Sequence, residues 1–420
     1  MQKICLALLL SITLLTGCAD AEQIEVNKPD GNQSDSRPVL TGATLLIDKH
    51  LAELKGRRIG LVANPTARVH HTHLLDTLIT LGIEIQALFA PEHGFRGDLP
   101  AGEEVRDGFD LETGLPVHSL YGQSRKPTPQ MLESVDILLF DMQDVGVRFY
   151  TYISTLGLIL EAAAENEIEV WVLDRPNPLG GEYVSGFMLE NEFKSFVGMF
   201  PIPVAHGMTI GELSTMMIGE HWLETDKKPN LRVISMEHWD RSIIWPDTGI
   251  NWRAPSPNLP HFSNALVYPG TCFIEGTSMS EGRGTSDPFM MVGAPDLAIP
   301  DSILQNLMTR YPVLLEKISF TPKTITGVAS SPKHENQLTH GIRITPQTLN
   351  PISLKPVEFG LELTRAMLRY SPDSKTNRFL YNLTGTQKVD AFLESDDYPS
   401  NFWQEELEQF KELRLKYLMY

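Results

Sequence analysis

Short apolar runs alternate with amphipathic stretches over the first two thirds of the chain. "RRIGLVAN" (57–64), "IEIQALFA" (83–90), "VDILLFD" (135–141) and "IEVWVLD" (168–174) each rise out of polar sequence and close on a turn-forming or charged residue. Runs this short, apolar at nearly every position, suit strands covered on both faces. Between them, "THLLDTLITLG" (72–82) and "TLGLILEAAAENE" (155–167) repeat their apolar residues at helical spacing. "PIPVAHG" (201–207) is a shorter candidate strand leading into the helical "TIGELSTMMIGEHW". The alternation predicts an α/β fold with a largely parallel sheet, helices on both faces, over residues 41–266. From 267 to 420 the pattern is less regular. Strand-like "EKISFTP" and "GIRITP" precede the helical "PVEFGLELTRAMLRY" and "WQEELEQFKELRLKYL", which predicts a smaller α+β domain packed on the first.

The N-terminal eighteen residues fall outside this pattern. Lys3 precedes an apolar stretch, Ile4 to Leu15, that is too short to span a bilayer as a stable helix. It runs into Leu15-Thr16-Gly17-Cys18, which resembles a bacterial lipobox, so residues 1–18 read as a lipoprotein signal with Cys18 as the lipidated residue. Ala19 after that cysteine suggests the outer membrane, facing the periplasm. The polar residues 19–40 then read as a flexible tether. Cys5 would leave with the leader and Cys18 carries lipid, so Cys272 stands alone, without a neighbouring histidine to make it a nucleophile. A formal charge of −18 argues against nucleic acid or an anionic surface as a partner and leaves any anionic substrate to local arginines.

Candidate chemistry gathers where the strands end. Ligands of open α/β sheets bind outside the carboxyl ends of the strands. The second run closes on "FAPEHGFRGD", which crowds Glu92, His93 and Arg96 into a turn that needs only its glycines and aspartate. The third closes on "DMQDVGVRFYTY", with Asp141, Gln143, Asp144, Arg148, Tyr150 and Tyr152. The fourth closes on "DRPNPLGG", with Asp174, Arg175 and Asn177, and the fifth on His206. Four such ends together favour a cleft over ordinary turns.

Several chemistries lack their signature. There is no phosphate-binding G-x-x-x-x-G-K-[ST], "GRGTSD" breaks G-x-G-x-x-G at its last position, and "GTSMSEG" is no nucleophile elbow. "HHTH" (70–73) offers His71 and His73 with only Asp76 nearby, so it reads as a helix start, and no metal or cofactor is expected. Carboxylates, arginines and aromatics remain. A protonated carboxylic acid paired with a carboxylate is the machinery of glycoside hydrolysis, and rings such as Tyr150, Tyr152 and Trp252 suit sugar faces.

"PEHGFRGD", "DMQDVGVRFYTYISTL", "LDRPNPLGG", "NWRAPSPNLP" and "YPGTCFIEGTSMSEGRGTSDPF" together resemble the exo-β-N-acetylmuramidase (NamZ) family, long described as a domain of unknown function. The resemblance runs from about residue 42 to the C-terminus. It implies a Rossmann-like domain joined to a smaller C-terminal domain, an active-site cleft between them, and release of N-acetylmuramic acid from the non-reducing end of peptidoglycan fragments. It also implies that Glu92 is the general acid. The second carboxylate lies among Asp144, Asp141, Glu275 and Glu281, with Asp144 and Glu281 the catalytic candidates carried forward. The remaining residues of these motifs are candidates for binding muramyl saccharides, with Arg148, Arg175 and Arg283 the ones suited to the lactyl carboxylate. After "NPLGG" the chain departs from the family pattern, with Ser185 and Phe187 where an acidic residue and a proline are expected. A lipid-anchored solute-binding protein for cell-wall sugars is the rival expectation, because it too would have two lobes around a cleft.

Overall fold

The apolar runs become strands because each presents side chains to two layers at once. The computed structural model describes residues 37–97, 103, 105–122 and 124–420, so the leader, Cys18 and most of the tether lie outside the described residues. The large sheet contains Ile59–Ala63 (β1), Ile85–Ala90 (β2), Gly108–Phe109 (β3), Pro116–Ser119 (β4), Ile137–Asp141 (β5) and Glu169–Leu173 (β6). Ser185–Met188 (β7) and Pro203–Ala205 (β8) leave the sheet, and Asn230–Ile234 (β9) rejoins it. Its order is β9-β6-β5-β1-β2-β4-β3, parallel throughout except for the edge pair β3–β4.

Period-two alternation divides the strands between two cores. Val62, Phe89, Phe140 and Val172 face one layer, packed with the helices Tyr152–Glu165 and Ile210–Gly219. Leu61, Leu88, Leu139 and Trp171 face the other, against the leucines of Leu74–Thr80. In chain order these helices are α1 (Leu74–Thr80), α2 (Tyr152–Glu165) and α3 (Ile210–Gly219). Each fully buried phenylalanine, Phe89 and Phe140 among them, contributes about 1.5–3 kcal/mol.

Three details differ from the pattern-based expectation. The run at 201–207 yields β8, which pairs antiparallel with β7 outside the parallel sheet. Pro203 lacks the N–H that a central strand must donate. Conversely, β4 and β9 are strands that the pattern did not predict, because neither is fully buried and each shows a weak apolar run. Finally, α1 begins at Leu74, since Thr72–His73 pairs with Arg68–Val69 in a short hairpin. His73 is buried there and caps α1, with Nδ1 accepting from Leu75 N at 3.2 Å and Nε2 3.0 Å from the Asn64 carbonyl.

The C-terminal part is α+β. Phe262–Thr271 (α4) leads into it, followed by the antiparallel strands Met291–Ala294 (β10), Val313–Phe320 (β11) and Thr339–Pro346 (β12), in the order β10-β12-β11. Its longer helices are Asp301–Arg310 (α5), Pro356–Arg369 (α6) and Gln404–Arg414 (α7). Helix α4 runs through the position where the hydrophobic pattern places a boundary and crosses α6 at Gly270 and Gly360. A Cβ on either glycine would collide with the other helix's backbone, so this crossing brings the two parts closer than any side chain would allow. Residues Arg37–Tyr420 accordingly pack as one compact unit, and one apolar core runs through both parts.

Candidate active site

The strand order reverses at β1, with β2 on one side and β5 on the other, so the crevice at their carboxyl ends is a topological switch point. Strand β2 ends in a turn closed by Gly94 N donating to the Pro91 carbonyl at 3.0 Å. His93 takes φ 73° within it, a left-handed conformation that costs a non-glycine residue on the order of 1 kcal/mol. This turn answers why a strand should end in Pro-Glu-His-Gly. It holds Glu92 at the corner, where Thr151 Oγ1 donates to Glu92 Oε2 at 2.9 Å. Thr151 precedes α2 without capping it through its side chain, which leaves the hydroxyl available for the glutamate. Tyr121 lines the same space as Glu92, and burial together with the Glu92 charge raises the Tyr121 pKa.

Glu92 and His93 line a cavity of ≈ 300 Å³ whose walls come from both parts of the chain. The large-sheet part supplies Tyr121, Arg125, Phe149, Tyr150, Thr151, Phe196, Ser256 and Leu259. The C-terminal part supplies Tyr268, Cys272, Glu275, Arg283, Phe289, Phe379 and Leu383. Aromatic rings dominate, packed edge to face: Phe149–Tyr268 at 5.3 Å, Tyr150–Tyr152 at 4.8 Å and Tyr268–Phe289 at 4.7 Å between centroids. Such walls present flat apolar surface to a sugar while their hydroxyls and the carboxyls orient it. Cys272 is buried beside Tyr268, and burial pushes its thiol well above the ordinary value, so the thiolate needed for nucleophilic attack is disfavoured.

Glu275 enters the same cavity from the turn that follows α4. Arg283 NH2 donates to Glu275 Oε1 at 2.8 Å, and Arg283 Nε lies 3.5 Å from Glu281 Oε1. Burial raises the Glu275 pKa, while the Arg283 charge pulls against it. For Arg283 itself burial works against the charge, but Glu275 and Glu281 together hold its pKa above the ordinary range. Glu281 sits behind this pair, buried, with Lys333 Nζ 3.1 Å from its Oε2. It anchors cations without lining the cavity.

The other residues gathered from the strand ends have partners of their own. Arg175 forks onto Asp141, with Nε to Oδ1 at 2.5 Å and NH2 to Oδ2 at 3.0 Å, and both side chains are buried. Asp174 accepts from Thr209 Oγ1 and Tyr420 OH at 2.7 Å each and from Gly211 N at 2.8 Å, and burial pushes its pKa up to about 6. Gln143 donates to the carbonyls of Asp144 and Pro176, and Asn177 to that of Met208. Asp144 accepts from Gly146 N at 2.7 Å and faces buried His206 at 3.6 Å. Arg96 is held by Asp110 and Asp76. None of these side chains lines the cavity.

Arg148 corrects the sequence-based expectation most sharply. Its guanidinium is fully enclosed and donates to the carbonyls of Phe187, Ile202 and Leu383 at 2.7–2.9 Å. With no carboxylate beside it, burial lowers its pKa to about 9. It joins the two parts of the chain and does not line the cavity. Tyr152 is a core residue and Trp252 packs partly buried against the core, with their polar atoms bonded to the carbonyls of Pro255 and Leu259. Of the residues singled out from sequence, the structure brings Glu92, His93, Tyr150, Glu275 and Arg283 together around one space.

Tyr121, Arg125, Thr151 and Phe196 line that space too, and sequence reasoning passed over them. Tyr121 follows β4, whose weak apolar pattern concealed a further strand end. Phe196 sits in a tight turn in which Ser195 and Gly198 exchange both backbone hydrogen bonds, at 2.9 Å.

Comparison with known proteins agrees with this architecture. Residues 59–263 match the family described as exo-beta-N-acetylmuramidase NamZ, N-terminal, and residues 266–420 match its C-terminal counterpart. The chain is 41% identical to the peptidoglycan beta-N-acetylmuramidase NamZ of Bacillus subtilis over 405 residues, 93% of this chain and 94% of that one. Two crystal structures of DUF1343 family proteins from Bacteroides fragilis share the fold. One has a TM-score of 0.80 at 32% identity and the other 0.76 at 33%, each covering 91% of this chain and 99% of its own.

Proposed function

The chain belongs to the exo-β-N-acetylmuramidase NamZ family, and from that premise we propose that Glu92 and Glu275 are its two working carboxyl groups. The protein is a glycosidase that releases N-acetylmuramic acid from the non-reducing end of peptidoglycan fragments. The observation that carries the assignment is that both carboxyl groups line one aromatic-walled cavity drawn from both parts of the chain. In the proposed mechanism Glu92 protonates the departing sugar oxygen, and Glu275 supports the positive charge that develops at the anomeric carbon or activates the incoming water. Thr151 positions Glu92 through a neutral hydroxyl, whereas Arg283 orients Glu275. A cavity of ≈ 300 Å³ is at the small end for ligand sites and suits one terminal sugar, which accords with exo action.

The test uses a β-1,4-linked N-acetylmuramyl-N-acetylglucosamine disaccharide. The expected products are free N-acetylmuramic acid and N-acetylglucosamine, with the rate of release following enzyme concentration. Tight binding of the disaccharide without any cleavage would instead establish a solute-binding protein.

We also propose that Cys18 carries lipid and anchors the protein to the outer membrane on its periplasmic side. The support is in the sequence, in the apolar Ile4 to Leu15 stretch and the Leu-Thr-Gly-Cys that follows it. Cys18→Ser is then expected to move the protein from the membrane to the soluble fraction. Equal partitioning of variant and unaltered protein without detergent would remove the anchor from the account.

A further inference from the structure

Resting on the muramidase reading, we propose that Arg125, seated on the Phe196 ring, binds the lactyl carboxylate of the terminal muramic acid and so sets the preference over N-acetylglucosamine. The argument begins with the cations available. Two arginines line the cavity, Arg125 and Arg283. Arg283 is committed to Glu275 and Glu281, and elsewhere Arg148 and Arg175 are committed to backbone carbonyls and to Asp141. Among the described residues, Arg125 forms no ion pair.

Its environment is built for an anion from outside. The Arg125 guanidinium lies 4.3 Å from the centroid of the Phe196 ring, which itself packs 5.9 Å from Tyr121, and all three line the cavity together with Glu92. Stacking on an aromatic face fixes the plane of a guanidinium and leaves its N–H edge free to bind a carboxylate in two-point fashion. The arginine is exposed and lines the cavity, so its charge is open to a ligand there. In a chain of formal charge −18, an unpaired cation at a carboxyl-lined cavity is the natural counter-ion for an acidic sugar. Muramic acid differs from glucosamine by the lactyl ether on O3, two carbons from the anomeric centre, so a cation on the cavity wall reaches it while the glycosidic oxygen faces Glu92. N-acetylglucosamine has nothing to offer this arginine.

The experiment measures binding of N-acetylmuramic acid, its lactyl methyl ester and N-acetylglucosamine by calorimetry to the unaltered protein, Arg125→Ala and Arg125→Lys. The unaltered protein is expected to bind the acid about 10–100-fold more tightly than the ester, the range for a charge-assisted pair. In Arg125→Ala that ratio falls to nearly one while affinity for N-acetylglucosamine stays within about two-fold. Arg125→Lys recovers part of the ratio, because it keeps the charge and loses the planar fork. An acid-to-ester ratio unchanged in Arg125→Ala overturns the inference, as does a parallel loss for all three ligands. These outcomes are separate from failure of the muramidase reading, which would appear as absent disaccharide cleavage by the unaltered protein.

Discussion

Glu92→Gln is expected to reduce kcat/KM on the natural muramyl disaccharide by about 10²–10⁴-fold, the usual contribution of general acid catalysis. Gln keeps the shape of the side chain and an oxygen acceptor for the Thr151 hydroxyl, but it has no proton to give a departing sugar alkoxide. The loss should depend on the leaving group. Nitrophenolate departs without a proton, so an aryl N-acetylmuraminide should lose far less activity than the disaccharide. Glu275→Gln makes the informative comparison, because burial raises the Glu275 pKa and an acid must hold its proton near neutrality. If Glu275 were the acid, Glu275→Gln would show the leaving-group dependence and Glu92→Gln would lose activity equally on both substrates. The measurement is kcat/KM of both variants on both substrates, with thermal unfolding as a control. That outcome would exchange the two roles while leaving the pair in place.

A second large effect is expected at the carboxyl ends of β5 and β6, and it concerns folding. Arg175→Met should destabilise the protein by about 3–5 kcal/mol, because it leaves the Asp141 carboxylate buried without its cation. Replacing both partners, Arg175→Met with Asp141→Leu, should recover most of that loss, since an apolar pair of similar volume leaves no uncompensated charge. Denaturant unfolding of the single and double variants checks both statements. A substrate-binding Arg175 would give the opposite signature, with a raised KM, unchanged stability and no rescue by the second substitution. The same comparison decides whether polar residues at these strand ends serve the fold or the ligand.

The large sheet and the C-terminal helices were legible from the chain because their cause is local. A strand buried on both faces must be apolar at nearly every position, and β1, β2, β5 and β6 are each such a run. Strands β4 and β9 were hidden for the converse reason: their burial is partial, so their pattern is diluted. The Pro-Glu-His-Gly turn was also legible, since its charged residues exceed what a turn requires. What the sequence by itself determined is therefore the class of fold and the sheet end at which the cavity opens, with Glu92 on its lining.

Only the tertiary structure separated Glu275 from Glu281, and Arg125 from Arg148. Each pair presents the same chemistry along the chain, yet Glu275 and Arg125 line the cavity while Glu281 holds cations behind it and Arg148 is consumed by three carbonyls. The backbone groups that strand ends and loops leave unpaired must be satisfied once they are buried. A polar side chain that satisfies them looks, in sequence, like one that awaits a substrate. Its partner is assigned by packing between distant segments, as when Leu383 supplies the carbonyl for Arg148 and Phe196 the seat for Arg125.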